Sequence, residues 1–175
     1  MKLFKKLVSV LCFVFVTTVA TAQKAVKKYI KQYESIALEK AEKYQIPASI
    51  ILGVSIIESA AGQSQICKNL NNFFGIKGKN WNSKKKMGYH SAYKEYKDDE
   101  ASFEHFCQVL MKKKFYKNLK GSDDYKEWLN QMNKASYASA KQQWINDITS
   151  TIKKYELFKL DEDDKEVGTA TAVAN

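Results

Sequence analysis

The chain contains no arginine: all 29 of its basic residues are lysines. Bidentate guanidinium readout of base edges or phosphates is therefore excluded, and lysine supplies point-charge attraction instead. Histidine is scarce, and His90 and His105 do not stand with the cysteines at any zinc-ligand spacing, so no metal or other cofactor is expected. Cys12, Cys67 and Cys107 are the three cysteines, and none sits in a setting that suggests a nucleophile. No internal repeat and no separate binding repeat is present. The longest apolar run, 7–19, is too short to span a bilayer comfortably.

What is there begins with a sorting signal. Lys2, Lys5 and Lys6 form a basic start, 7–19 is apolar apart from Ser and Thr, and Ala20-Thr21-Ala22 is a small-x-small cleavage site. Leu11 stands before Cys12 where a lipoprotein signal wants a small residue, so the pattern predicts removal of 1–22 and a mature chain from Gln23. Such a chain is exported, to the periplasm or beyond, and stays associated with the envelope. Removal takes away three lysines and no acid, which lowers the net charge from +10 to +7. The last stretch, 161–175, holds five acids and one lysine and reads as a disordered acidic tail. The body, 23–160, then carries +11 and is long enough for one domain with a real core. A basic body outside the cell favours anionic envelope polymers as partners and makes nucleic acid a poor fit. Out there Cys67 and Cys107 either pair or remain two buried thiols.

Periodicity predicts several helices around one core. Val26, Ile30, Tyr33, Ala37, Ala41 and Tyr44 recur at helical steps over 25–44. The single proline, Pro47, suits the first turn of a second helix, and Gly62 suits its stop. The polar stretch 78–97, with Gly78, Gly88 and Lys84-Lys85-Lys86, suggests a loop or small hairpin. Asp98 or Asp99 should open a third helix with Phe103, Phe106 and Leu110 inward. A short helix over 123–132 turns Tyr125, Trp128, Leu129 and Met132 inward, and a last one over 140–155 carries Trp144, Ile145, Ile148 and Ile152 on one stripe.

The second helix carries the most informative residue. In ILGVSIIESAAG, Ile51, Val54 and Glu58 share one face while Ile50, Leu52, Ile56 and Ile57 cover the others. A lone carboxylate there should hold its proton to a higher pH than a free Glu, because burial and the negative helix end both oppose its charge. A neutral carboxylic acid can protonate a leaving oxygen.

Downstream of that helix stand NNFFGIKG at 71–78 and KASYAS at 134–139. The segment 52–78 resembles family 73 of the glycoside hydrolases, bacterial N-acetylglucosaminidases that cut peptidoglycan. Glu58, Ser59, Gly62, Asn71, Asn72, Phe74, Gly75, Ile76 and Lys77 hold the places of the family pattern, and Tyr137 that of the tyrosine in its Gly-Tyr-Ala-Thr block. The likeness runs over about 29–161. It implies a mostly α, lysozyme-like domain with a small hairpin lobe beside a cleft, acting as a monomer on peptidoglycan glycan strands. Glu58 would be the general acid. Asn71, Asn72, Phe74 and Gly75, with Trp81 as a further stacking ring, would contact sugar. Many members carry a second acid on the hairpin, yet 84–92 here has no carboxylate, which leaves Glu95 in Tyr93-Lys94-Glu95-Tyr96 as the nearest replacement. An N-acetyl sugar can instead use its own acetamide as nucleophile, with Tyr137 assisting. An N-acetylmuramidase on the same fold and a catalytically weak wall-binding module are the competing expectations.

Overall fold

The structure, a computed structural model, describes residues 2–80, 91–135, 137 and 141–162, and only the backbone of 2–20 and of Lys141. Trp81, the Lys84-Lys85-Lys86 run and 163–175 lie outside the described residues. Seven helices are described: α1 Lys2–Tyr44, α2 Ala48–Ser59, α3 Gln65–Leu70, α4 Asp99–Met111, α5 Tyr116–Leu119, α6 Tyr125–Lys134 and α7 Lys141–Lys154. The hairpin expected over 78–97 is represented by an isolated antiparallel bridge between Lys77 and Tyr93, flanked by Gly78 N–H to Ala92 O and Lys94 N–H to Ile76 O.

α1 starts well before the expected Ala25 and runs unbroken through Ala20-Thr21-Ala22. Of its predicted stripe, Tyr33, Ala37, Ala41 and Tyr44 are buried and Val26 and Ile30 half-buried, and Tyr29 is buried with them. The stripe also holds Lys40, 2% exposed, whose Nζ lies 2.7, 3.1 and 3.2 Å from Glu39, Glu100 and Glu104. An ammonium is tolerated there because its donors are met by carboxylates, and this cluster ties α1 to α4. Asp98 caps α4 as expected, with Oδ1 accepting the Ala101 N–H at 2.8 Å.

α2 lies at the centre, packed on α1, α6 and α7, and is buried from Ala48 to Ile56. Gly53 sets its distance from α7: an added Cβ would stand 2.9 Å from Ile152 Cγ1. The first turn of α2 has no side-chain cap of its own. Asp161 supplies one from 112 residues away, its Oδ1 accepting the Ser49 N–H at 2.9 Å. This contact lies just past the boundary expected after Leu160. Asp161 is buried, and the helical turn 159–162 belongs to the domain, because an orphan helix N–H must find an acceptor.

A column of rings joins the helices. Tyr33 stacks on Phe103 at 5.5 Å, Phe103 meets Phe74 edge-on at 5.0 Å, and Phe74 stacks on Phe106 at 4.1 Å. Phe106 then meets Tyr137 at 5.9 Å and Tyr137 meets Trp144 at 5.7 Å. Of the two readings for the cysteines, the structure shows buried free thiols. Burial pushes the Cys67 thiol up to about 12 and Cys107 up as well, so both are inert at neutral pH. Among the described residues, no helix is long and apolar enough to cross a membrane.

Candidate active site

Glu58 stands in the last turn of α2. The helix stops earlier than Gly62 predicts, because Ala60 and Ala61 already have left-handed backbones (φ 51° and 50°) before Gly62 (φ 76°). For alanine that conformation costs on the order of 1 kcal/mol each. Ser59 offsets some of it: its Oγ donates to Ser55 O at 2.6 Å and accepts the Gly62 N–H at 2.8 Å. The sharp turn ends the apolar helix and leaves the Glu58 carboxyl half-buried at its rim.

Two elements from far along the chain close on that carboxyl. The Trp144 indole N–H of α7 donates to Oε1 at 2.8 Å. On the other side, Oε2 lies 3.0 Å from where a Cβ of Gly75 would be. Gly75 has φ +63°, so this position demands glycine both for its backbone and for the room it leaves the acid. Tyr93 Cε1 lies 4.0 Å from the same point, which puts its ring at the edge of the site. Burial raises the Glu58 pKa, and the Trp144 bond, which favours the carboxylate, pulls part of the way back.

Tyr137 completes the cluster. Its hydroxyl donates to Phe74 O at 3.2 Å, and its N–H bonds to Met132 O at the end of α6. Burial, then the charge of Glu58, raise its pKa well above the ordinary phenol value, so it is neutral at any working pH. With its proton committed to Phe74 O, its oxygen presents lone pairs.

Several residues expected to contact sugar have side chains engaged within the protein. Asn72 is 1% exposed; its Nδ2 donates to Ile76 O and Lys94 O, and its Oδ1 accepts the Ile76 N–H. Asn71 ends α3 in a left-handed conformation (φ 49°) and donates to Tyr96 O and Lys97 O. Both side chains are spent on backbone, clamping the 71–78 loop to the 93–97 segment. Phe74, 2% exposed, has its face covered by Phe106 and offers none to a sugar. Glu95 is half-buried beside Tyr93 and Tyr96, and its N–H donates to Lys79 O at 3.1 Å. Trp144, which the helical stripe assigns to the core, is the residue that sequence reasoning missed. The signal for it was its indole N–H, which needs an acceptor wherever the ring is buried.

The family model that matches the chain is described as mannosyl-glycoprotein endo-beta-N-acetylglucosaminidase and covers residues 34–157. Exo-glucosaminidase LytG of Bacillus subtilis (strain 168) is 26% identical over 138 residues, 69% of this chain and 48% of LytG. The chain thus spans about half the length of that curated relative. The catalytic domain of the autolysin Auto from Listeria monocytogenes shares the fold with a TM-score of 0.62 at 19% identity, over 78% of this chain and 87% of that one. The glycoside hydrolase domain of Salmonella typhimurium FlgJ does so with a TM-score of 0.57 at 15% identity, over 86% and 99%. The expected single, mostly helical, lysozyme-like domain is therefore what this sequence builds. The matched span 34–157 holds Glu58, Gly75, Tyr137 and Trp144 together, and by that match the chain belongs to the glucosaminidase family of glycoside hydrolases.

Proposed function

We propose that the protein is an exported, endo-acting peptidoglycan hydrolase that cleaves the β-1,4 bond after N-acetylglucosamine, with Glu58 as the general acid. One observation carries this reading: a half-buried carboxyl with a raised pKa, oriented by Trp144 and facing a glycine that leaves it room. Such a group stays protonated where a surface Glu is ionised, and can hand its proton to the leaving glycosidic oxygen as the sugar becomes oxocarbenium-like.

For the second group, the acetamide of the sugar is the better fit to Tyr137. An acetamide N–H can donate to the Tyr137 oxygen, whose own proton points at Phe74 O, and the acetamide oxygen then attacks the anomeric carbon. Glu95 as a second carboxylate predicts instead that Glu95→Gln loses activity nearly as fully as Glu58→Gln. Under the acetamide route, Glu95→Gln stays within about tenfold of wild type while Tyr137→Phe loses more, about 10²-fold.

Digestion of purified peptidoglycan, with mass spectrometry of borohydride-reduced products, tests the assignment. Long fragments with reduced N-acetylglucosamine ends, formed by wild type and not by Glu58→Gln, are expected. Reduced muramic ends would move the protein to the muramidase reading, and wall binding without release by either protein would leave a binding module. Export predicts that the mature protein's intact mass begins at Gln23; a mass that still includes 1–22 would refute it.

A further inference from the structure

A groove of about 620 Å³ lies between the turn after α4, α5 and α6, and the chemistry proposed above does not use it. Lys113, Lys114 and Lys134 line it together with Phe115 and Leu119. The stretch 112–120 contains five lysines and no acid. Glu127, whose carboxylate accepts from the Gln131 amide at 2.7 Å, is the one acid among the described lining residues against three lysines, so the lining is net basic around an apolar patch. The groove is also braced: Phe115 packs edge-on against the buried Trp128 at 6.0 Å. Its Ala135 end comes two residues before Tyr137 in the chain. Ala135, at its end, closes α6 through its N–H to Gln131 O, and Tyr137, two residues on, hangs by its N–H from Met132 O in the same turn.

We propose that this groove holds the carboxylate-bearing peptide attached to the glycan strand whose sugars lie at Glu58, which makes the three lysines specificity residues for substituted strands. The proposal rests on the peptidoglycan reading above. A short peptide of that kind presents free carboxylates and alkyl side chains together. The carboxylates meet the lysines, and the alkyl groups cover Phe115 and Leu119. A phosphodiester polymer would satisfy the charges and leave the apolar patch exposed to water, so the peptide fits better.

Kinetics on two substrates test this: glycan strands with their peptides, and the same strands stripped by an amidase. The variant K113Q/K114Q/K134Q should raise KM on peptide-bearing strands about 3- to 10-fold with kcat unchanged. On stripped strands that penalty should shrink below about twofold. The control K24Q/K27Q/K28Q removes three exposed charges from α1 and should match wild type on both. An equal penalty on both substrates, or none on either, overturns the proposal. Titration of the free stem peptide into isotope-labelled protein reads binding without cleavage. Amide shifts should concentrate at 113–119 and 131–135. Shifts elsewhere, or shifts there only with a polyglycerol phosphate, overturn it. If wild type cleaves neither substrate, the hydrolase reading fails on its own and the titration alone decides the groove.

Discussion

Glu58 and Glu104 are both partly buried glutamates on core helices, and their environments drive them apart. Burial pushes each toward the neutral form. At Glu104 that push is overcome: Lys43, Tyr44 and Lys40 all donate to it and hold its pKa down at about 2. At Glu58 the opposing hydrogen bond comes from an uncharged indole, and burial prevails. One carboxyl becomes a fixed charge that fastens α1 to α4, and the other becomes a proton reservoir at the end of α2. The number and charge of the donors decide which role a glutamate takes.

The contrast can be broken most sharply at Glu58 itself. Glu58→Gln should lower kcat by about 10²–10⁴-fold. Its melting temperature should hold or rise at neutral pH, because the neutral amide lifts the penalty of a half-buried charge. Breaking the other side, Lys40→Met should leave the chemistry nearly intact and cost about 2–3 kcal/mol in denaturant unfolding, since it strips a buried ammonium from three carboxylates. The two glutamates should also oppose each other in pH. Glu104, lowered, contributes stability above its unfolded pKa near 4.5 that is lost as pH falls toward about 2. Glu58, raised, contributes stability below that same unfolded value that is lost as pH rises through its folded pKa. Unfolding curves of Glu104→Gln should therefore flatten only the acid limb, and those of Glu58→Gln only the limb above it. Asp161→Ala should cost about 1 kcal/mol, the usual worth of an N-cap. The smallest effect sharpens the comparison: Trp144→Phe removes the donor that favours the Glu58 carboxylate, so the alkaline fall of kcat/KM should move to higher pH. An unmoved limb would mean that the indole does not govern the proton.

Glu58 was legible in the sequence because a lone carboxylate in an otherwise apolar helix is a local anomaly. So were the stripe of α1, the inner faces of α4 and α6, and the Asp98 cap, since each is written within a few residues by period or by cap chemistry. The parts that were not legible depend on distance in the chain. Trp144 reaches Glu58 across 86 residues and Asp161 reaches Ser49 across 112, and no local pattern encodes either meeting. Asn71, Asn72 and Phe74 have intramolecular partners that were hidden for a related reason. Their residue types suit sugar contact, yet the loop's own backbone and the ring column claim them first. Lys40 was hidden because two of its three carboxylate partners, Glu100 and Glu104, sit sixty or more residues on, in α4.

Asp161 gives the acid-bearing helix a dependence on time. The first turn of α2 is closed by a residue that comes more than a hundred positions after Glu58, and the carboxyl's own donor arrives only with α7. During synthesis, the segment with Glu58 emerges early and waits, unfinished, for nearly the whole remaining chain. Until α7 and the turn 159–162 have docked, the Ser49 N–H lacks its acceptor and the Glu58 carboxyl its donor, so the surroundings of that carboxyl are completed last.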